Sequence, residues 1–470
     1  MPSAMLSLPP SYSSARNYTD DICAFLSTPL VRQITGGIHV NDALIHHAWE
    51  KLPPEWTAWF SSVPDHRLVQ RHLLQHIEET EPHDLEHSKD DVLLSSQIQP
   101  QSLTKWLNTV RSLALPRVQR NGPSISLPDI LKQRMKTKKI AEISRATAYI
   151  HAKCVDLNIT HIIDMGSGQG YLSASLAFLF PNLHILAIDG SGSQIEGSKS
   201  FAASLGIKED RLQHVVHWID GSSAVQSIIE DWAQGTRCIL VGLHACGNLS
   251  EHMLRYFVTI PCIQALAAIG CCYNHIIATS PEYPQGFPIS SALTCRDLFL
   301  SPTAFMAACQ VPDNWKTPEA YNKQDNNISV FTKRRLYRAM LERLFYDKGV
   351  KLNTEERPAW GTRKSDMVDF TSYTRKAMDS LQIEDSKITP MDLALYEEKY
   401  GKFGGQIAIL WTLSIICCKV IESAILMDRY WYLEEQNVGK VDVFPIFDPM
   451  VSPRNMIVVA EKQREEQREE

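Results

Sequence analysis

Residues 164–170 read Asp-Met-Gly-Ser-Gly-Gln-Gly. The short apolar run HIID leads into them, and a helix-forming stretch follows. Glycines let a backbone turn sharply and come close to a ligand with no Cβ in the way. The first N–H groups of the following helix face the same place. The spacing is G-x-G-x-G, and Tyr171 stands where a dinucleotide-binding turn would seek its next glycine. Asp189 ends LHILAID, 19 residues after Gly170. A carboxylate at the tip of a second strand can accept both hydroxyls of a ribose. NAD and S-adenosylmethionine (SAM) both present one. Asp164, at the tip of the first strand, favours SAM, because a negative group there repels a pyrophosphate. Asp164, Gly166, Ser167, Gly168, Gly170 and Asp189 are therefore the expected SAM contacts. The competing reading makes both aspartates plain polar strand ends. Asp220 closes HVVHWID and is placed either to meet an adenine amino group or to close a turn.

Two further segments carry reactive side chains. VGLHACGNLS holds His244, Cys246 and Asn248, and IGCCYNH holds Cys271, Cys272, Tyr273, Asn274 and His275. Both fall at the carboxyl ends of expected strands, where open α/β sheets bind ligands. Two histidines and three cysteines could converge on a metal. Against that, no C-x-x-C spacing is present, and adjacent residues on a strand point to opposite faces. The expectation is no metal, with His244, Cys246, Tyr273 and His275 as polar walls around an arriving acceptor atom. Plain core and turn residues are the remaining alternative. For a hydroxyl acceptor, His244 or His275 would be the base. A ring nitrogen or a thiol needs no strong base.

The surrounding pattern supplies the elements that must hold these residues. Ile140, Ile143, Thr147, Ile150 and Cys154 recur at helical spacing before the first strand. Apolar runs then alternate with helical stretches every 25–30 residues or so, the mark of a parallel sheet with right-handed crossovers. VDVFPIF, the turn DPMVSPR and NMIVVAEK read as a hairpin completing that sheet with an antiparallel last strand. The fold class expected is α/β: a class I, seven-stranded, Rossmann-like methyltransferase sheet. It carries a helical N-terminal region and a helical insertion between strands 5 and 6. The expected boundaries are 1–125 for the N-terminal region, 126–295 for strands 1 to 5, 296–436 for the insertion, 437–462 for the hairpin and 463–470 for a charged tail. Trp49, Trp56 and Trp59 around LPPEW suggest helix, break, helix, and 78–91 reads as a solvated linker.

Composition sets the outer limits. The 470 residues are 44% hydrophobic and 21% charged, which excludes a mainly disordered chain or a rod. A net charge of −6 excludes a globally basic nucleic-acid binder but leaves local patches open. Two basic runs stand out: Lys132, Arg134, Lys136, Lys138, Lys139 and Arg145, then Lys333, Arg334, Arg335, Arg338 and Arg343. Each is either a solvated helix face or a contact for RNA phosphates. The eleven cysteines, two pairs of them adjacent, fit a reduced intracellular compartment, cytoplasmic or nuclear. No secretory signal is expected. The apolar stretch Phe403–Cys418 is short for a membrane span, so a buried helix and no membrane partner are expected. The helical regions offer room for a protein partner.

DMGSGQGYLS, GLHACGNLS, GCCYNH, GFPIS, DRYWYLEEQ and SPRNMIVVAEK, in that order, resemble the methyltransferase-like protein 25 family. That family includes the protein named for a ribosomal RNA adenine dimethylase domain. The resemblance runs from LPPEW to the C-terminus with gaps. It implies a class I methyltransferase with SAM as cofactor, held by Asp164, Gly166, Gly168, Gly170 and Asp189. GLHACGNLS with GCCYNH is also similar to a tRNA 2′-O-methyltransferase family and to the methyltransferase half of a glutathione-transferase-C-terminal-domain protein. The chain departs from the tRNA enzymes at Tyr273-Asn274, where they carry two histidines. The absence of an N-P-P-Y or D-P-P-Y element counts against exocyclic base N-methylation. The expected function is SAM-dependent methylation of a macromolecule, with RNA favoured over protein. The rival is an inactive methyltransferase fold that serves as a scaffold.

Overall fold

The computed structural model describes residues 6–37, 39–77, 98–311, 330–350 and 364–463. The expected linker at 78–91 and nearly all of the charged tail lie outside these residues.

Seven strands form one sheet: β1 (His161–Met165), β2 (His184–Asp189), β3 (Leu212–Val216), β4 (Cys238–Ala245), β5 (Ile263–Gly270), β6 (Gly439–Pro445) and β7 (Met456–Lys462). Their order is β3-β2-β1-β4-β5-β7-β6. The first five strands pair in parallel, and β7 runs antiparallel to both β5 and β6. Parallel strands are covered on both faces, which is why these segments read as apolar runs rather than alternations. Ile162, Ile163, Ile185, Leu186, Val241 and Ala267 are all buried. The expected amphipathic helix spans Thr137–Leu157 and turns Ile143, Ile150 and Cys154 into the core. It stops at Asn158, whose φ of 52° is left-handed, and the chain then enters β1.

The described residues within Met1–Leu26, Ala114–Cys309 and Val420–Glu470 form one compact unit. Its composition departs from the sequence boundaries. The helix Ala15–Leu26 and the segment 114–125 group with the sheet, and so does most of the helix Cys418–Glu435. Side chains explain the grouping: Trp431 donates to the Thr19 hydroxyl at 2.8 Å, Arg296 pairs with Asp20, and Leu115 N–H donates to Ser423 at 2.9 Å.

The second unit comprises Ser27–Leu113 and Gln310–Lys419. Its regular elements among the described residues are helices, including Pro54–Ser62, His66–His76, Gln101–Ser112, Val330–Asp347, Phe370–Ser380, Pro390–Tyr400 and Gly404–Ile416. Pro54 opens its helix at the first turn, as a proline can. Turns, not a helix, precede it, so only the second half of the helix-break-helix expectation is met. The helical run Pro390–Glu435 is long and apolar enough to cross a membrane by composition, but 83% of its apolar window is buried. Ile407, Leu413, Ile415 and Ile416 there have the burial of a core helix.

Candidate functional site

β1 ends in the glycine turn. Gly166, Gly168 and Gly170 take φ of 70°, 54° and 69°, which L side chains rarely adopt. A Cβ on Gly170 would lie 1.8 Å from the Ser198 hydroxyl, whereas one on Gly168 would meet nothing within 4 Å. One glycine is therefore required by packing and the other borders open space. The turn is tied to β2: Gly166 N–H donates to Ile188 O at 2.9 Å, and Gly168 N–H donates to Asp189 Oδ2 at 2.9 Å. Ser191 N–H donates to Asp189 Oδ1 at 2.9 Å. A carboxylate has roughly four acceptor directions, so half-buried Asp189 keeps capacity for two neighbouring hydroxyls. The Ser167 hydroxyl is buried and has no hydrogen-bond partner among the described residues. Buried polar groups are as a rule satisfied, and one left open in such a turn suits a polar ligand atom.

Two aspartates depart from the expected roles. Asp164 is only 2% exposed and accepts the Ser173 hydroxyl at 2.5 Å. Burial first, then the Asp189 charge, pushes its carboxyl up to about 6 against the Ser173 hydrogen bond. Asp164 ties the end of β1 to the helix Tyr171–Leu179 that follows the turn. Asp220 is exposed and accepts Ser222 N–H at 2.9 Å, which is the turn-closing alternative. The residue missed at this edge is Trp218. Its side chain is 75% exposed, and its ring lies 2.6 Å from where a Cβ on Gly190 would begin, beside Asp189. The signal was present in HWID, where a large apolar residue follows the end of β3.

The other pair of strand ends is built differently. His244 Nε2 sits 2.8 Å from Lys139 Nζ and 3.2 Å from Glu142 Oε2. Glu142 is buried and also accepts the Ser452 hydroxyl at 2.8 Å. Burial would raise its carboxyl, but His244 and Lys139 together hold it down at about 2. Tyr273, expected to face an acceptor, is 2% exposed and donates to Glu422 Oε1 at 2.8 Å. The other Glu422 oxygen accepts from Arg117 Nη1 at 2.6 Å. Tyr273 is thus a core residue. Asn248 donates to Glu251, Arg429 donates to the Ser250 hydroxyl, and buried Asp428 accepts Ser290 N–H and Oγ–H. These contacts interlock GLHACGNLS, GFPIS and DRYWYLEEQ, motifs far apart in sequence. His275 is exposed in the short 3-10 turn Tyr273–His275.

The cysteine expectation requires correction. β5 ends at Gly270, so Cys271 and Cys272 lie past the strand and its alternation does not apply to them. Cys246, Cys271 and Cys272 bring their sulfurs within 4.8 Å of one another. Hydrogen bonding from Cys271, then from Cys272, pulls the Cys246 thiol down to about 6 despite burial.

The basic runs are partly consumed. Arg145 donates to the carbonyls of Pro123 and Ile446, and Lys139 turns inward to Glu142. Arg134, Lys136 and Lys138 stay exposed, with Lys138 3.7 Å from Glu142 and Arg134 over the Phe201 ring. In the second run Arg335 stacks on Trp411 at 3.6 Å, while Arg338 and Arg343 pair with Glu342 and Asp347.

Sheet order, an antiparallel β7 and a glycine turn after β1 define a class I methyltransferase fold. Residues 136–279 match the profile of a family described as a methyltransferase domain. The particular proteins the chain is similar to are two curated relatives named "Probable methyltransferase-like protein 25". The mouse protein is 26% identical over 304 residues, covering 60% of this chain and 48% of its own length. The human protein is 28% identical over 258 residues, covering 53% of this chain and 40% of its own. The resemblance drawn from the motifs is thereby supported, and the chain spans about half or less of these relatives. Among solved structures, the plantazolicin methyltransferase BpumL in complex with SAH matches 51% of this chain and 72% of that one, at 13% identity and a TM-score of 0.22. Coclaurine N-methyltransferase, bound to N-methylheliamine and SAH, matches 73% and 94%, at 13% identity and a TM-score of 0.25.

Proposed function

We propose that this chain binds SAM in the turn after β1 and transfers its methyl group to a macromolecular acceptor. The observation that carries the reading is the open polar cradle of Ser167, Gly168 and Asp189. Bound SAM would supply an electrophilic methyl carbon. The chain's own part is to bind and orient. Asp189 accepts the ribose hydroxyls, the Ser167 hydroxyl and the turn's backbone meet the amino-acid end, and the Trp218 ring offers an apolar face to the adenine. His244 Nε2 is faced by Lys139 Nζ and Glu142 Oε2, so that nitrogen does not face an arriving hydroxyl. That favours an acceptor such as a ring nitrogen or a thiol, which needs no strong base.

RNA is the acceptor class we favour. The Lys139–His244 contact fixes the start of the helix Thr137–Leu157 beside the end of β4, so exposed Arg134, Lys136 and Lys138 stand close to the β4 end of the cleft. Phosphates would be held there by a local, salt-sensitive patch. We place the chain in a reducing compartment, cytoplasmic or nuclear, where its eleven cysteines would stay thiols. The test is transfer of labelled methyl from SAM to total RNA and, separately, to a protein extract. Labelled RNA, reduced in a Lys136→Glu/Lys138→Glu variant, is the expected result. Label in protein alone overturns the RNA acceptor. Binding of SAH with no transfer to either points to a scaffold.

A further inference from the structure

We infer that Cys246, Cys271 and Cys272 form a three-thiolate site for a soft, tetrahedral cation, Zn2+ above all, at the joined ends of β4 and β5. The inference goes beyond methyl transfer and does not depend on it. Ala245 and Gly270 are register partners on adjacent parallel strands, so the residues that follow them leave the sheet side by side. The loops are then pinned together, since Gly247 N–H and His275 N–H both donate to Cys272 O at 3.1 Å. This holds Cys246 Sγ 3.0 Å from Cys271 Sγ, and Cys271 Sγ 3.5 Å from Cys272 Sγ. Four sulfurs around zinc at 2.3 Å stand about 3.8 Å apart, so these thiols need to spread by less than about 1 Å. A disulfide would use two of the sulfurs and leave the third crowded against them; a cation satisfies all three. Each thiol gives up its proton on binding, and the divalent metal offsets most of the charge that three adjacent thiolates would otherwise build up.

The fourth position has a ready donor nearby. Cys309 follows the helix Pro302–Ala308, accepts Asn274 N–H at 3.3 Å and reaches to 4.0 Å from Cys271 O. Cys246 is the exposed member, which gives a metal a way in from solvent. A structural zinc would close its shell with Cys309, and an open one would keep water there.

The full chain purified under a phosphine reductant provides the test. Elemental analysis after gel filtration is expected to find one zinc per chain. Cobalt substitution is expected to give a sulfur-to-metal charge-transfer band. Cys272→Ser should weaken metal retention by roughly 100-fold or more, whereas Cys295→Ser, an exposed thiol elsewhere, should leave it unchanged. Should the cysteine variants fail to fold, thiol alkylation of the unaltered chain decides. Added Zn2+ should shield Cys246, Cys271 and Cys272 and leave Cys295 reactive. No metal uptake, no charge-transfer band and no shielding would overturn the site. A Cys246–Cys271 disulfide formed in air by protein that takes up no zinc would overturn it equally.

Discussion

The two halves of the sheet's carboxyl edge are built on opposite plans. At β1 and β2 the polar groups are left open: among the described residues the Ser167 hydroxyl has no partner, the Asp189 carboxylate accepts two backbone N–H groups, and a Cβ on Gly168 would meet nothing within 4 Å. At β4 and β5 many polar side chains are paired to one another: His244 with Glu142, Tyr273 with Glu422, Asn248 with Glu251. The contrast teaches that chemical type at a strand end does not by itself mark a ligand site. What marks a site for a polar cofactor is unspent hydrogen-bonding capacity beside open space.

The contrast predicts where mutations act. Glu422→Ala leaves Arg117 charged and buried and strips Tyr273 of its acceptor. Loss of one partner of such a pair costs about 3–5 kcal/mol. Urea unfolding should show that loss, and Tyr273→Phe should lose about 1 kcal/mol. If Tyr273→Phe keeps full stability but loses methyl transfer, the β4–β5 edge is catalytic and the contrast fails.

Asp164 gives the next effect. Its carboxyl is raised from 3.8 to about 6, so the folded state holds the proton more tightly than the unfolded one. Stability should therefore fall as pH rises between these values. Asp164→Asn should flatten that part of the profile, by a difference on the order of 3 kcal/mol between acid and neutral pH. Matched urea midpoints across that range check it, and parallel profiles for the two proteins would contradict it.

Trp218→Ala should weaken SAH binding by roughly 1–2 kcal/mol through lost stacking while leaving the unfolding midpoint in place, because the ring is mostly exposed. An unchanged affinity would remove Trp218 from the cleft.

Much of the fold was legible in the sequence. β1, β2, the crossovers and the terminal hairpin announce themselves through apolar runs and turn residues that are local in sequence. The glycine turn was legible for the same reason. The β4–β5 edge was not, because the partners that consume its polar groups lie far away in the chain. Glu422 is 149 residues from Tyr273, and Glu142 is 102 from His244. In the basic run at 333–343 the acids at i+4, Glu342 and Asp347, are legible in the sequence, but Trp411, on which Arg335 stacks, is 76 residues away. Strand alternation does not reach the cysteine pair, because β5 ends two residues short of Cys272.

The central claim is that the turn after β1 and Asp189 form a SAM site. Calorimetric titration of SAH into the full chain, unaltered and as Asp189→Ala, tests it most directly. One site per chain is predicted. In the variant the affinity should fall by roughly 1.5–3 kcal/mol for each charge-assisted hydrogen bond lost. Equal affinity in the two proteins, or no heat of binding in either, would contradict it.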